Sequence, residues 1–218
     1  TKKLAKNVAH AFKGGAHTVL LLRHGAVIAG KDREEAFSRA LMLESLCRRA
    51  CKGQPTETPA FNRELAERLT VLVKEAFGHG TYTAAAPVLA CAAKGETIVA
   101  QLDDMAQMIG PRIFVVDAQQ AIADTFERTV ASTYERDAVN ALGKQEVVLV
   151  AGVGAICRAS GESDCQAMCR LTEKACICWL HTQALGVKTH LSWFDTRRMR
   201  RIYLKKYSKM IGGQEKWT

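Results

Sequence analysis

The strongest constraint in this chain is that part of it occurs twice. Residues 19–47 align without gaps on residues 148–176 at a constant offset of 129. Gly25 meets Gly154, Ala26 meets Ala155, Glu44 meets Glu173 and Cys47 meets Cys176, while the apolar runs VLLL and VLVA coincide. Few residues are identical, so matched patterning carries the repeat. Each copy reads as a helix, an apolar run of strand length, a glycine corner, a second apolar run and a helix. A fold for this chain must therefore accommodate one hairpin-and-helix module in two places.

Local signals fix the elements around it. Leu4, Val8, Ala11 and Phe12 recur at helical spacing until Gly14-Gly15. Residues 18–23 read as a strand, Gly25 as a turn and residues 26–29 as the returning strand. Asp32 is the expected N-cap of the next helix, with Glu34 and Glu35 at its positive end. Residues 52–58 form a linker, and Thr58-Pro59 is expected to open a helix with Phe61, Leu65, Leu69 and Leu72 inward. Residues 81–85 read as a strand, 87–94 as a short helix and 112–116 as a strand. Asp103 and Asp104 are assigned a structural, capping role before Gly110-Pro111. A helical region is expected from 118 to 142, a strand pair over 146–157 and a cysteine-rich helix over 162–184.

The net charge of +9 on 218 residues raises the question of an anionic partner. Basic residues are spread through the chain, and the densest cluster is RRMRRIYLKKYSK at 197–209. Trp193, Phe194, Tyr203 and Tyr207 lie in or beside it, a composition that can stack bases. The simpler reading is a helix with its apolar face inward and its cations in water, and nucleic acid is not an expected partner.

The eight cysteines do not form a disulfide framework by their placement. Cys47 and Cys51, and Cys165, Cys169 and Cys176, sit at spacings that share a helix face, where thiols pack as small hydrophobes. There is no Cys-x-x-Cys pair, so a structural zinc site is not indicated. Reduced thiols point to a cytoplasmic compartment. No run approaches the roughly 18 apolar residues of a membrane span, and no membrane association is expected. The first residues lack the apolar core of a signal peptide. Thr1 in place of Met is compatible with Met removal or upstream trimming.

Two motifs imitate nucleotide sites. GAVIAGK, residues 25–31, approximates a P-loop, but its middle is apolar and strand-like and Asp32 stands where a hydroxyl would hold magnesium. GVGAIC, residues 152–157, opens like a dinucleotide fingerprint, yet no helix begins at its second glycine to hold a pyrophosphate. Gly25 and Gly154 are read as structural corner residues.

Three stretches together resemble the class II aldolase/adducin family. LLLRHGAVIAGKDREEAFSRALMLE, residues 20–44, is similar to that family's closing strand pair and helix, with its His-Gly corner, Gly-Lys-acidic step and mid-helix Glu. The stretch from Pro87 through AKGETIVAQLDDMAQMIGP resembles the family segment around Asp-Asp, and FDTRRMRRIYLKKYSKM resembles tails of some members. The resemblance implies a three-layer α/β/α sandwich with a mainly antiparallel central sheet. It also implies a divalent metal, usually zinc, held by a His-x-His strand and the corner His. The activity it implies is retro-aldol cleavage of a small sugar phosphate, carried out in a tetramer.

Transferred residue by residue, the resemblance makes His24 the candidate metal ligand of the first copy. In the second copy the His-x-His positions fall on Thr83 and Ala85, and the corner position on Val153. His79 is near that strand but out of register. A zinc site needs about three protein ligands, so the second copy is expected to be metal-free, and zinc is a cofactor only if the first copy is catalytically intact. Tyr203 and Tyr207 fall where some members carry a tail tyrosine.

The expected organisation is residues 1–52 as the C-terminal part of a first aldolase-like unit, 57–190 as a second, degenerate unit and 191–218 as a basic tail. Three functions follow: a metal-dependent aldehyde-lyase, a non-catalytic oligomerising scaffold on the same fold, or, last, a nucleic-acid binder.

Overall fold

The protein is described from a computed structural model covering residues 2–21, 25–51, 59–116, 142, 145–187 and 190–207. It divides into two compact units, Thr1–Gln54 and Pro55–Thr218.

The first unit contains α1 (Lys2–Lys13), β1 (Thr18–Leu21), β2 (Gly25–Ile28) and α2 (Arg33–Ala50). β1 and β2 form an antiparallel hairpin in which Leu21 faces Gly25 and Thr18 faces Ile28. Gly25 takes φ +102°, a conformation open to glycine and strained for other residues. α2 starts where the sequence indicates. The Asp32 carboxylate accepts the Glu35 N–H at 2.8 Å, and Glu35 reaches back to accept the Lys31 N–H at 2.7 Å, a reciprocal cap. Arg39 then clamps the strand exit to the helix by donating to the Ala29 carbonyl and to Glu35. None of the four elements holds a fully buried residue.

The second unit contains α3 (Arg63–Phe77), β3 (Thr81–Thr83), α4 (Ala86–Lys94), β4 (Ile98–Val99), α5 (Asp103–Met108), β5 (Arg112–Val116), β6 (Val147–Val150), β7 (Gly154–Cys157), α6 (Glu162–Ala184) and α7 (Trp193–Ile202). A single π-type turn, Tyr203–Tyr207, extends α7. The five strands lie in the order β3-β7-β6-β5-β4. β5 and β6 run parallel, while the other three neighbours are antiparallel, so the expectation of a mainly antiparallel sheet is met in part and the sheet is mixed. The physical reason lies in the connection. A tight hairpin reverses direction, whereas residues 117–146 between β5 and β6 are long enough for a crossover. The expected helix at 118–142 falls almost wholly outside the described residues.

β6 and β7 are buried at every position and supply the floor of two cores. On one face Val148, Val150 and Ile156 pack with Ala66, Leu69 and Val73 of α3. On the other, Val147, Leu149, Ala155 and Cys157 pack with α4, α5 and α6. Continuous burial explains why both strands read as unbroken apolar runs rather than alternating ones.

Two boundaries differ from expectation. α3 begins at Arg63 rather than at Pro59, because Asn62 is the better cap: its side chain accepts the Leu65 N–H at 3.0 Å while its own N–H donates to the Gly152 carbonyl at 2.7 Å. Strand β4 has no counterpart in the sequence reading. The stretch from 197 to 207 is helical, α7 packs on α5, and Thr196 of α7 is buried. Arg200 donates to the carbonyls of Gln107 and Met108 at the end of α5 and pairs with Glu146. No described helix is long and apolar enough to cross a membrane.

Over the described residues the two hairpins share one backbone register. Adding 129 to each pair of the β1/β2 register gives the β6/β7 register, from Leu21–Gly25 onto Val150–Gly154 to Thr18–Ile28 onto Val147–Cys157. Gly154 has φ +105°, matching Gly25, and α6 begins at Glu162, the equivalent of Arg33. The bond that closes the open end also recurs: Ala29 N–H to His17 O in one copy, Arg158 N–H to Glu146 O in the other.

Candidate functional site

In the second unit the positions that correspond to a ligand set sit around the β3–β7 edge and the corner between β6 and β7. Thr83 ends β3 opposite Ala155 and is buried. Its hydroxyl donates to Glu173 Oε1 of α6 at 2.5 Å and accepts the Ala85 N–H at 3.3 Å. Ala85 packs on the α4/α6 core. Val153, at the corner, is fully buried in the opposite core beside Leu69 of α3. The three side chains therefore do not converge. Two belong to one face of the sheet and the third to the other.

This donor set does not fit a divalent ion. Two of the three positions offer only hydrocarbon, and the one oxygen, Thr83 Oγ1, is already committed to Glu173. Close packing reinforces the arrangement. A Cβ on Gly154 would lie 2.3 Å from the Thr83 carbonyl oxygen, so β3 and the corner touch backbone to backbone. Among the described residues no group of three or more His, Cys, Asp or Glu side chains converges as a metal site. His24 lies outside the described residues. The neighbouring Gly25 is in its positive-φ turn, and Glu44, the equivalent of Glu173, makes an exposed pair with Arg48 at 2.7 Å.

Asp103 and Asp104 lie in the first turn of α5, with Leu102 in the capping position. Asp104 accepts the Met105 N–H and pairs with Lys174 at 2.6 Å, tying α5 to α6. His79 is exposed in the loop before β3.

Sequence reasoning did not foresee the Thr83–Glu173 link, whose partners are 90 residues apart, nor the packing of the thiols. Cys91 of α4 donates to the Cys176 carbonyl at 3.7 Å, and Cys157 of β7 lies 4.0 Å from the Thr172 hydroxyl. Contact with Cys169 and burial push the Cys157 thiol well up, and contact with Cys91 and burial do the same for Cys176. Both are protonated packing groups rather than nucleophiles. All eight cysteines are free.

The outer face of α7 forms a groove of about 590 Å³ lined by Trp193, Phe194, Arg197, Arg198, Arg201 and Ile202. The Arg197 guanidinium stacks 4.3 Å above Trp193. The cations do face water, as the simpler reading of the tail has it, but so do two aromatic rings.

A mixed sheet with helices on both faces, closed by a glycine-cornered hairpin and a long helix, defines the α/β fold of the second unit. A solved structure of L-fuculose 1-phosphate aldolase is similar to this chain with a TM-score of 0.50 and 15% identity, over 64% of this chain and 63% of that one. At that identity the likeness establishes the fold. The chain spans a little under two thirds of that aldolase. Residues 1–51 match the family described as Class II Aldolase and Adducin N-terminal domain. No curated protein matches this chain.

Proposed function

We propose that this chain is a non-catalytic scaffold of the class II aldolase/adducin family, in which the second unit serves as a packed structural body. The observation that carries this reading is the Thr83–Glu173 hydrogen bond. It occupies the oxygen at the one polar ligand position, while Val153 fills the corner position with a core side chain. We take residues 1–52 as the C-terminal part of a first aldolase-like unit, 57–190 as a degenerate second unit and 191–218 as a basic tail. The chain is assigned to the cytoplasm, and self-association, as a tetramer by family resemblance, is part of the proposal.

A second reading, metal-dependent retro-aldol cleavage of a small sugar phosphate, is supported by the family match over residues 1–51, which include His24. It requires ligands in addition to His24 and places zinc in the first unit alone. Metal analysis of protein purified without chelator separates the two. The scaffold reading predicts far less than one ion per chain, unchanged by His24→Ala, and no cleavage of L-fuculose 1-phosphate. About one tightly held divalent ion per chain, lost in His24→Ala together with cleavage activity, would replace it with the lyase reading.

A further inference from the structure

α6 turns a row of thiols toward β7. Cys165 and Cys169 lie one turn apart on the helix, and Thr172 follows three residues later on the same face. Cys157 of β7 meets that row from the sheet. Its sulfur lies 4.0 Å from the Thr172 hydroxyl, and its thiol donates to the sulfur of Cys169. A second pair, Cys91 of α4 and Cys176 of α6, touches in the same core.

The two pairs differ in access. Cys91, Cys157 and Cys176 are 0% exposed, while Cys169 is 8% exposed. They differ also in charge. The hydrogen bond from Cys157 favours the Cys169 thiolate and holds that group below the ordinary thiol range, whereas contact with Cys91 and burial push Cys176 up. A thiolate that reaches water beside a protonated thiol is the arrangement that oxidises selectively.

We propose that Cys169 and Cys157 form a peroxide-reactive pair, Cys169 attacking and Cys157 resolving, whose product is a disulfide joining α6 to β7. This goes beyond the scaffold reading and does not depend on it. The Cys169 sulfur attacks one oxygen of a hydroperoxide, the O–O bond breaks, and Cys169 becomes a sulfenic acid. The hydroxide or alkoxide that leaves takes up the proton released by Cys169. The Cys157 sulfur then attacks the Cys169 sulfur. The S–S bond forms, the S–O bond breaks, and the hydroxide leaves with the Cys157 proton as water. The two thiols together lose two electrons, and the hydroperoxide gains them. Cys165 cannot resolve in place of Cys157. β-Carbons one turn apart on a helix are about 5–6 Å from one another, and a disulfide needs about 3.5–4.5 Å. The sulfurs of Cys157 and Cys169 are already in contact across the strand–helix interface. The bridge pins α6 one turn before Glu173, the residue that holds Thr83. In reducing surroundings it is transient, as redox-sensing disulfides are.

Peptide mapping of the full chain tests this. The reduced protein, freed of reductant, is treated with hydrogen peroxide under native conditions, and the remaining thiols are alkylated before digestion. The expected product is a Cys157–Cys169 crosslinked peptide, two hydrogens lighter than its reduced parts and reversed by dithiothreitol. It forms while Cys91 and Cys176 still alkylate in full. Cys169→Ser loses the crosslink and leaves Cys157 reduced. Cys157→Ser leaves Cys169 as a sulfenic acid that dimedone captures. Oxidation of Cys169 no faster than that of Cys91 overturns the proposal, as does a bridge from Cys169 to Cys165. Dimedone capture at Cys157 in Cys169→Ser overturns it likewise, because the buried thiol would then attack unaided. The crosslink in the unsubstituted chain is read without either variant, so the result stands even where a substitution in the core impairs folding.

Discussion

Replacing Gly154 by Ala tests the close approach on which the second unit rests, and Gly25→Ala supplies its control. Both glycines turn at nearly the same φ, +105° and +102°, so both substitutions incur the same backbone penalty, about 1–3 kcal/mol. They differ in what the new methyl group meets. At Gly25 nothing lies within 4 Å, whereas at Gly154 the Thr83 carbonyl oxygen would be 2.3 Å away and the Ala84 Cα 3.2 Å away. Ordinary contact begins at 3.4 Å, so β3 must retreat by about 1 Å. That displacement loosens the β3–β7 ladder and stretches the Thr83–Glu173 bond, each hydrogen bond being worth roughly 1 kcal/mol. The expected cost is therefore about 3–5 kcal/mol at Gly154, a large part of the ~5–15 kcal/mol that a typical domain has. Urea denaturation followed by the fluorescence of Trp179 and Trp193 measures the second unit, and hydrogen exchange of the β1/β2 amides measures the first. If Gly154→Ala costs the second unit no more than Gly25→Ala costs the first, the contact between β3 and the corner is not as described.

Three further outcomes follow from the packing. Leu149→Ala, in the fully buried floor of the larger core, should cost about 2–5 kcal/mol in a denaturant midpoint, whereas the equivalent Leu20→Ala should leave that transition where it is. Thr83→Val should destabilise the second unit by about 1–3 kcal/mol, because Glu173 loses its hydroxyl donor and no water-exposed substitute is supplied; Thr83→Ser should restore most of the loss, and equal stability of the Val and Ser variants would remove the bond from the account. The thiols make stability pH-dependent in a stated direction. Cys157 and Cys176 are held protonated in the folded protein, while in the unfolded chain they ionise near pH 8.5. The unfolded state then binds fewer protons above that pH, so the contribution is constant below it and stability falls as pH rises beyond ~8.5. Cys157→Ser should flatten part of that decline in an equilibrium unfolding series; an unchanged slope would show that the thiol ionises equally in both states.

Much of the local structure was legible in the residues. The alignment at offset 129 predicted two modules, and the hairpin registers agree pair by pair. The Asp32 cap and the helix over 162–184 were readable for the same reason. A cap, a turn and a helix onset are fixed by side chains a few positions apart. Where that failed, a distant group had intervened. α3 starts late because Asn62 is anchored to Gly152, and β4 escaped notice because two residues become a strand only when β5 lies beside them.

The candidate site was legible as an absence of ligands and illegible as a structure. Thr83, Ala85 and Val153 could be named from the sequence as the wrong residues for a metal. That Thr83 instead holds Glu173 could not, because it depends on α6 crossing β3 from ninety positions away. The sequence by itself determined the repeated module, since its backbone turns and strand pairing are local. The tertiary structure alone decided that one copy becomes the buried floor of two cores while the other, among the described residues, forms a two-stranded sheet with no fully buried side chain. Burial depends on which strands and helices arrive alongside, and no short-range pattern within the module encodes that.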